Sequence, residues 1–167
     1  MKVKFVGAID GVTGSCAWLK HKASGAQLLV DCGMHQGPHE TEFRNYEKFP
    51  FIPADIKYVL LTHAHIDHCG LLPRLVKEGF KGWVYCTAAT RDIAKLLLQD
   101  SAGQGQTEYR QKHVDQINWH AVDEVDNFHW KKHFRLEDGL TVSFMRSSHV
   151  LGAASLSIRW KVDSDDK

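Results

Sequence analysis

The sequence predicts one mixed α/β (α+β) domain, on three observations. Short apolar runs separated by glycine-rich turns fill the first third of the chain. Two later segments, Leu72–Glu78 and Thr87–Ser101, carry helix start and stop signals. From Phe134 to Trp160 the pattern returns to strands around a hairpin turn.

Val3–Ala8, Cys16–His21 and Gln27–Asp31 read as strands, with Gly11-Val12-Thr13-Gly14 and Ser24-Gly25 as turns between them. Tyr58-Val59-Leu60-Leu61 is a short uninterrupted apolar run, the pattern of a strand covered on both faces. In Leu72–Glu78, Pro73 suits a first helical turn, where no backbone N–H is needed, and Gly79 is a fitting stop. Gly82–Cys86 is a further strand. Thr87 then caps a longer helix to about Ser101, with Ile93, Leu96, Leu97 and Asp100 spaced along one face. Gly103-Gln104-Gly105-Gln106 breaks that helix, and the polar stretch to Lys132 reads as helix with loop. Phe134–Leu136 and Leu140–Met145 flank Glu137-Asp138-Gly139, a hairpin signal. Ala154–Trp160 alternates: Leu156, Ile158 and Trp160 face one way, Ser155, Ser157 and Arg159 the other. The domain is expected to span residues 1–162, with 163–167 a frayed polar tail.

A chain of 167 residues suits one core. Its 21 basic and 20 acidic side chains leave a formal charge of +1, which gives no electrostatic case for broad nucleic-acid binding. No apolar run approaches the roughly 20 residues needed to span a bilayer, so no membrane partner is expected. Met1–Gly7 lacks the long apolar core and cleavage site of a signal peptide, and the expected compartment is the cytoplasm. Cys16, Cys32, Cys69 and Cys86 form no C-x-x-C pair and read as free buried thiols.

The chemistry concentrates in Leu61-Thr62-His63-Ala64-His65-Ile66-Asp67-His68-Cys69-Gly70. A strand that ends in a tight loop can aim alternate side chains at one point. His63 and His65 would then share a metal ion, with Asp67 and His68 aimed at a neighbouring position. Imidazole nitrogen and carboxylate oxygen suit zinc, with iron or manganese as alternatives. A chance cluster of surface histidines would not follow a buried strand and precede a Gly-Leu-Leu-Pro helix start. His149, after a strand and before the turn at Gly152, is a candidate third nitrogen for the His63/His65 metal. Asp31 ends an apolar strand and can accept a hydrogen bond from a ligand histidine, fixing its orientation; a turn-forming aspartate is the alternative. His113, His120, His129 and His133 read as solvated or core histidines.

His-x-His-x-Asp-His after a hydrophobic strand resembles the signature of the metallo-β-lactamase superfamily. Gly11-Val12-Thr13-Gly14-Ser15-Cys16, Asp31-Cys32-Gly33-Met34-His35-Gln36-Gly37, Leu61–Pro73 and His149-Val150-Leu151-Gly152-Ala153-Ala154 are similar to its β-CASP branch of RNA-processing nucleases. The resemblance runs from about Val3 to Trp160. It implies a four-layer αββα sandwich, here truncated to about its first half plus the start of the second sheet. It implies that His63, His65 and His149 bind one zinc, that Asp67 and His68 bind another, and that Asp31 orients the metal loop. Asp67 would also be catalytic, in a hydrolysis that uses metal-activated water against RNA or another phosphodiester.

The family pattern continues with a Ser-Gly-Asp turn whose aspartate bridges two metals, then a later histidine and an inserted cap. No such turn occurs here, and Asp163, Asp165 and Asp166 lack the glycine and the apolar lead-in. The first site is therefore expected to be tight and the second weak. Two functions remain open at this point. One is a zinc-dependent hydrolase of doubtful activity alone; the other is a non-catalytic metal-binding interaction or regulatory module. A half-sandwich is expected to leave Val142, Phe144, Leu156, Ile158 and Trp160 on an exposed sheet face, covered by a homodimer or a completing partner chain. A shorter sandwich closing on itself is the rival.

Overall fold

In a computed structural model, residues 1–104 and 107–161 are described; the expected tail, and the acidic residues weighed within it, fall outside this range. Among the described residues the chain forms two sheets and one helical layer. Six strands make the first sheet: β1 (Lys2–Phe5), β2 (Ala17–Lys20), β3 (Gln27–Val30), β4 (Ile56–Leu60), β5 (Trp83–Cys86) and β6 (Asn118–Ala121), paired in that order. β1, β2 and β3 are antiparallel meanders, whereas β3 to β6 run parallel. Parallel neighbours need crossovers. The crossovers carry α1 (His39–Phe43), α2 (Ile66–Cys69), α3 (Leu72–Lys77), α4 (Ala88–Gly103) and α5 (Gln111–Asp115). The second sheet holds β7 (Phe134–Glu137), β8 (Leu140–Arg146) and β9 (Ala154–Trp160), all antiparallel, with Gly139 at positive φ in the first hairpin.

Side chains alternate across a strand, so adjacent residues serve different cores. Leu29, Val59 and Val84 pack under the helices with Leu72, Leu75, Ala94 and Leu98. Leu28 and Leu60 face the other way and meet Leu140, Val142 and Phe144 of the second sheet. Tyr85 stacks on Phe134, and Phe134 on Phe144, which carries the contact across both sheets. No helix among the described residues is long and apolar enough to cross a membrane. All four cysteines are free and buried.

The structure corrects several expectations. Val142 and Phe144 are not exposed: both are fully buried, and Leu156 and Ile158 pack against the same cluster. The two sheets cover each other, as in the rival reading, and the argument for a dimer from an open sheet face loses its premise. Only Trp160, 41% exposed, retains the expected character. The α4 face is also different. Thr90, Ala94, Leu98 and Ala102 are its buried residues, whereas Leu96 is 68% exposed. Small residues let the helix lie close to the sheet, and the bulky leucines misdirected the reading. The first strand stops at Phe5: Val6 and Gly7 both donate to the Cys16 carbonyl, which breaks the ladder, and Ala8 then takes a positive φ. The segment read as helix with loop holds α5 but also β6. Asn118-Trp119-His120-Ala121 is too short and polar to signal a strand, and is recruited by parallel pairing to β5.

Candidate metal centre

The site sits at the carboxyl ends of the parallel strands. Register puts Val30 beside Leu60, so the residues that follow each strand, Asp31 and Leu61-Thr62, emerge together. The Asp31 N–H donates to the Leu60 carbonyl at 3.1 Å. The loop after β3 is then laced to α2: Cys32 N–H donates to the His68 carbonyl, and Met34 N–H to the Ile66 carbonyl. Gly33 makes this possible. A Cβ there would lie 1.6 Å from the Asp67 carbonyl oxygen, which itself accepts from the Ser15 N–H. His149 arrives from the β8–β9 turn. That turn is fixed by Ala154 N–H to the Thr62 carbonyl, and by the hydroxyls of Thr87 and Thr90 on the Gly152 carbonyl. Gly152 takes φ +81, and a Cβ there would crowd Thr90 N at 2.6 Å.

His63, His65 and His149 converge. One ring nitrogen from each lies within 4.8 Å of the other two. His65 Nδ1 and His149 Nε2 are 3.1 Å apart. Zinc–nitrogen bonds of about 2.0–2.1 Å in a tetrahedron separate ligand nitrogens by roughly 3.3 Å, so this pair already has ligand spacing.

The hydrogen-bond chain behind the cluster fixes which nitrogens are bare. Asp31 is 2% exposed and accepts from the Thr62 N–H at 2.8 Å and from the Thr62 hydroxyl at 2.9 Å. A carboxylate only accepts, so the Thr62 proton is committed to Asp31. His63 Nδ1, 2.9 Å from the same hydroxyl oxygen, must therefore donate to it. That leaves His63 Nε2 unprotonated. It is buried and has no hydrogen-bond partner among the described residues. A buried polar atom left unpaired is costly, and a bare imidazole nitrogen aimed at two other imidazoles fits a metal ion. Burial, then the charge of His68, pulls His63 down to about 4, so the ring is neutral at pH 7. Three imidazoles with one position left open are the donor set of a catalytic zinc site.

Asp67 and His68 lie beside this trio. His68 Nδ1 is 2.7 Å from Asp31 Oδ2, the orienting contact expected of Asp31, and His68 Nε2 is 3.6 Å from Asp67 Oδ2. Burial lowers the His68 pKa, but the hydrogen bond and charge of Asp31, with the charge of Asp67, raise it on balance. The ring of His68 is 3.9 Å from that of His63, centroid to centroid. Thus all six residues singled out in the sequence meet in one place. His113, His120, His129 and His133 join no metal-capable group among the described residues. Thr62, Thr87, Thr90 and Ser15 were missed. Thr62 had a usable signal, a hydroxyl immediately before the first histidine of the cluster; the other three act through the tertiary fold and had none.

Residues 9–158 match the metallo-beta-lactamase superfamily, and the chain belongs to it. Its relatives place it in the β-CASP branch. It is 46% identical over 101 residues to Ribonuclease TTHA0252 of Thermus thermophilus, covering 60% of this chain and 22% of the relative. It is 30% identical to Transcription termination factor FttA of Methanosarcina mazei, over 92% of this chain and 24% of the relative. Integrator complex subunit 11 of Danio rerio is 28% identical, over 95% of this chain and 27% of the relative. The chain therefore spans about a quarter of the length of these curated relatives. Among solved structures, a metallo-beta-lactamase variant from Cronobacter sakazakii with a HARLDQ motif superposes with a TM-score of 0.60 at 22% identity, over 93% of this chain and 56% of that one. That likeness shows the fold.

Proposed function

We propose that this chain carries the principal metal site of a zinc-dependent hydrolase acting on RNA. The observation that carries the reading is the bare, buried His63 Nε2 facing His65 and His149. Relatives named as a ribonuclease, a transcription termination factor and an Integrator subunit support RNA as the substrate class. His63, His65 and His149 would hold the ion, with iron or manganese as alternatives to zinc. Zinc there would supply Lewis acidity and a bound water that ionises near neutral pH.

The chain's own residues do the rest. Asp31 holds His68 through its Nδ1–H and holds His63 indirectly through Thr62, so two imidazoles keep fixed tautomers. Asp67 places a carboxylate beside the trio, where it can take a proton from a reacting water or support a second ion with His68. Two donors hold a second ion weakly. Cleavage by the isolated chain is accordingly expected to be slow.

The second reading, a non-catalytic metal-binding module, is favoured by that same pair of donors. A nuclease assay on purified, zinc-loaded chain separates the two. Multiple-turnover cleavage of single-stranded RNA that is lost in Asp67→Ala supports the hydrolase. Zinc bound at one equivalent with no turnover supports the module.

A further inference from the structure

We infer that the groove flanking the metal loop is a stacking subsite for an unpaired nucleobase, with Phe43 as its platform; this rests on the RNA reading above. The groove has a volume of about 420 Å³. That is within the range of small-ligand sites, roughly 300–1,000 Å³. One wall is Ile66, which lies between His65 and Asp67 in the chain, so the groove runs along the metal loop although no metal-site residue lines it. The groove is also lined by Asp100 near the end of α4, by the cap residue Gln104 and by the buried Tyr109. At the mouth stand Phe43, which ends α1, and Tyr46 in the following 3-10 turn. Their rings are 6.3 Å apart and tilted, and Phe43 is 60% exposed.

Charge decides what the groove can take. Its one buried cation, Arg74, is already committed: to Glu78 at 2.7 Å, to the Glu47 carbonyl at 2.7 Å and to the Asn45 carbonyl. Asp100 and Glu42 bring negative charge to the lining. A phosphate would be repelled here. A neutral base is suited to the same surroundings: its face can lie on Phe43, and its edge can bond to the second amide N–H and the amide oxygen of Gln104 and to Asp100 Oδ1, which the Gln104 Nε2 to Asp100 Oδ2 bond of 2.8 Å leaves unused. The chain carries a formal charge of +1, which supplies no broad attraction for the phosphate backbone. Contact with a base adds affinity that does not depend on that charge.

The test uses the whole zinc-loaded chain and a short single-stranded RNA with 2-aminopurine at one position, together with a matched strand of abasic nucleotides. Wild-type protein should quench the 2-aminopurine and bind the base-bearing strand about tenfold more tightly than the abasic one. Phe43→Ala should lose the quenching and that tenfold preference, and Phe43→Trp should restore both. Phe43 is on the surface, so unchanged zinc content and melting in Phe43→Ala exclude misfolding. If wild type and Phe43→Ala bind RNA equally, the subsite is wrong while the RNA reading stands. If wild-type protein binds neither strand, the RNA reading itself falls, and the subsite with it.

Discussion

Replacing Phe144 by alanine removes a fully buried ring that stacks on Phe134 at 6.3 Å and closes the second sheet over Leu28 and Leu60. No water reaches this position, so the cavity cannot be filled cheaply, and core Phe→Ala changes cost about 3–5 kcal/mol. Domains of 150–250 residues lose about 2–4 °C of melting temperature per kcal/mol, which gives a drop of about 6–20 °C. Trp160→Ala is the control. Trp160 is 41% exposed, and its loss should cost no more than about 1 kcal/mol. Urea and thermal melts followed by circular dichroism, run across a dilution series with light scattering, measure both. A Phe144→Ala effect under about 1 kcal/mol, or a larger and concentration-dependent effect of Trp160→Ala, would mean that a second chain covers the sheet, and would refute self-closure.

Three further outcomes are expected. The chain should hold about one zinc tightly; His63→Ala or His149→Ala should abolish this while His68→Ala weakens it less, and two tightly held equivalents by plasma emission analysis would contradict the assignment. Asp31→Asn should tolerate the positive φ at this position (φ 60) yet weaken zinc about 10–100-fold in a chelator competition, because His68 and Thr62 lose their charged acceptor. Gly33→Ala should destabilise by about 3 kcal/mol or more and release zinc, as its Cβ overlaps the Asp67 carbonyl. Gly11→Ala, with nothing within 4 Å, should change stability by no more than about 0.5 kcal/mol in the same melts.

The candidate site was legible because its residues cluster in the chain. His63, His65, Asp67 and His68 occupy one loop, and a buried strand before them is enough to say that they converge. His149 and Asp31 were harder, since they come from β8–β9 and β3: placement after strands marked them as candidates, and the family resemblance supplied their roles. What the sequence could not reveal is how helix and sheet share their small residues. Thr90 and Ala94 are buried on α4 while Leu96 is in solvent, a choice made by close packing and by the hydroxyl grip on Gly152. The fate of Val142 and Phe144 was equally hidden. Alternation in β8 and β9 identifies an apolar face but says nothing about its cover, and the cover proved to be the first sheet.

Asp31 has a consequence for how the ion is acquired. Its contacts with Thr62 and His68 are made wholly within the protein, so the partners that orient two candidate ligand imidazoles are supplied by the fold. On the metal-site reading proposed above, an ion would meet donors already aimed by their neighbours. A zinc finger, by contrast, folds only around its metal. On that reading the folded chain would act as an acceptor, and its occupancy would follow the local supply of the ion and its exchange with other carriers.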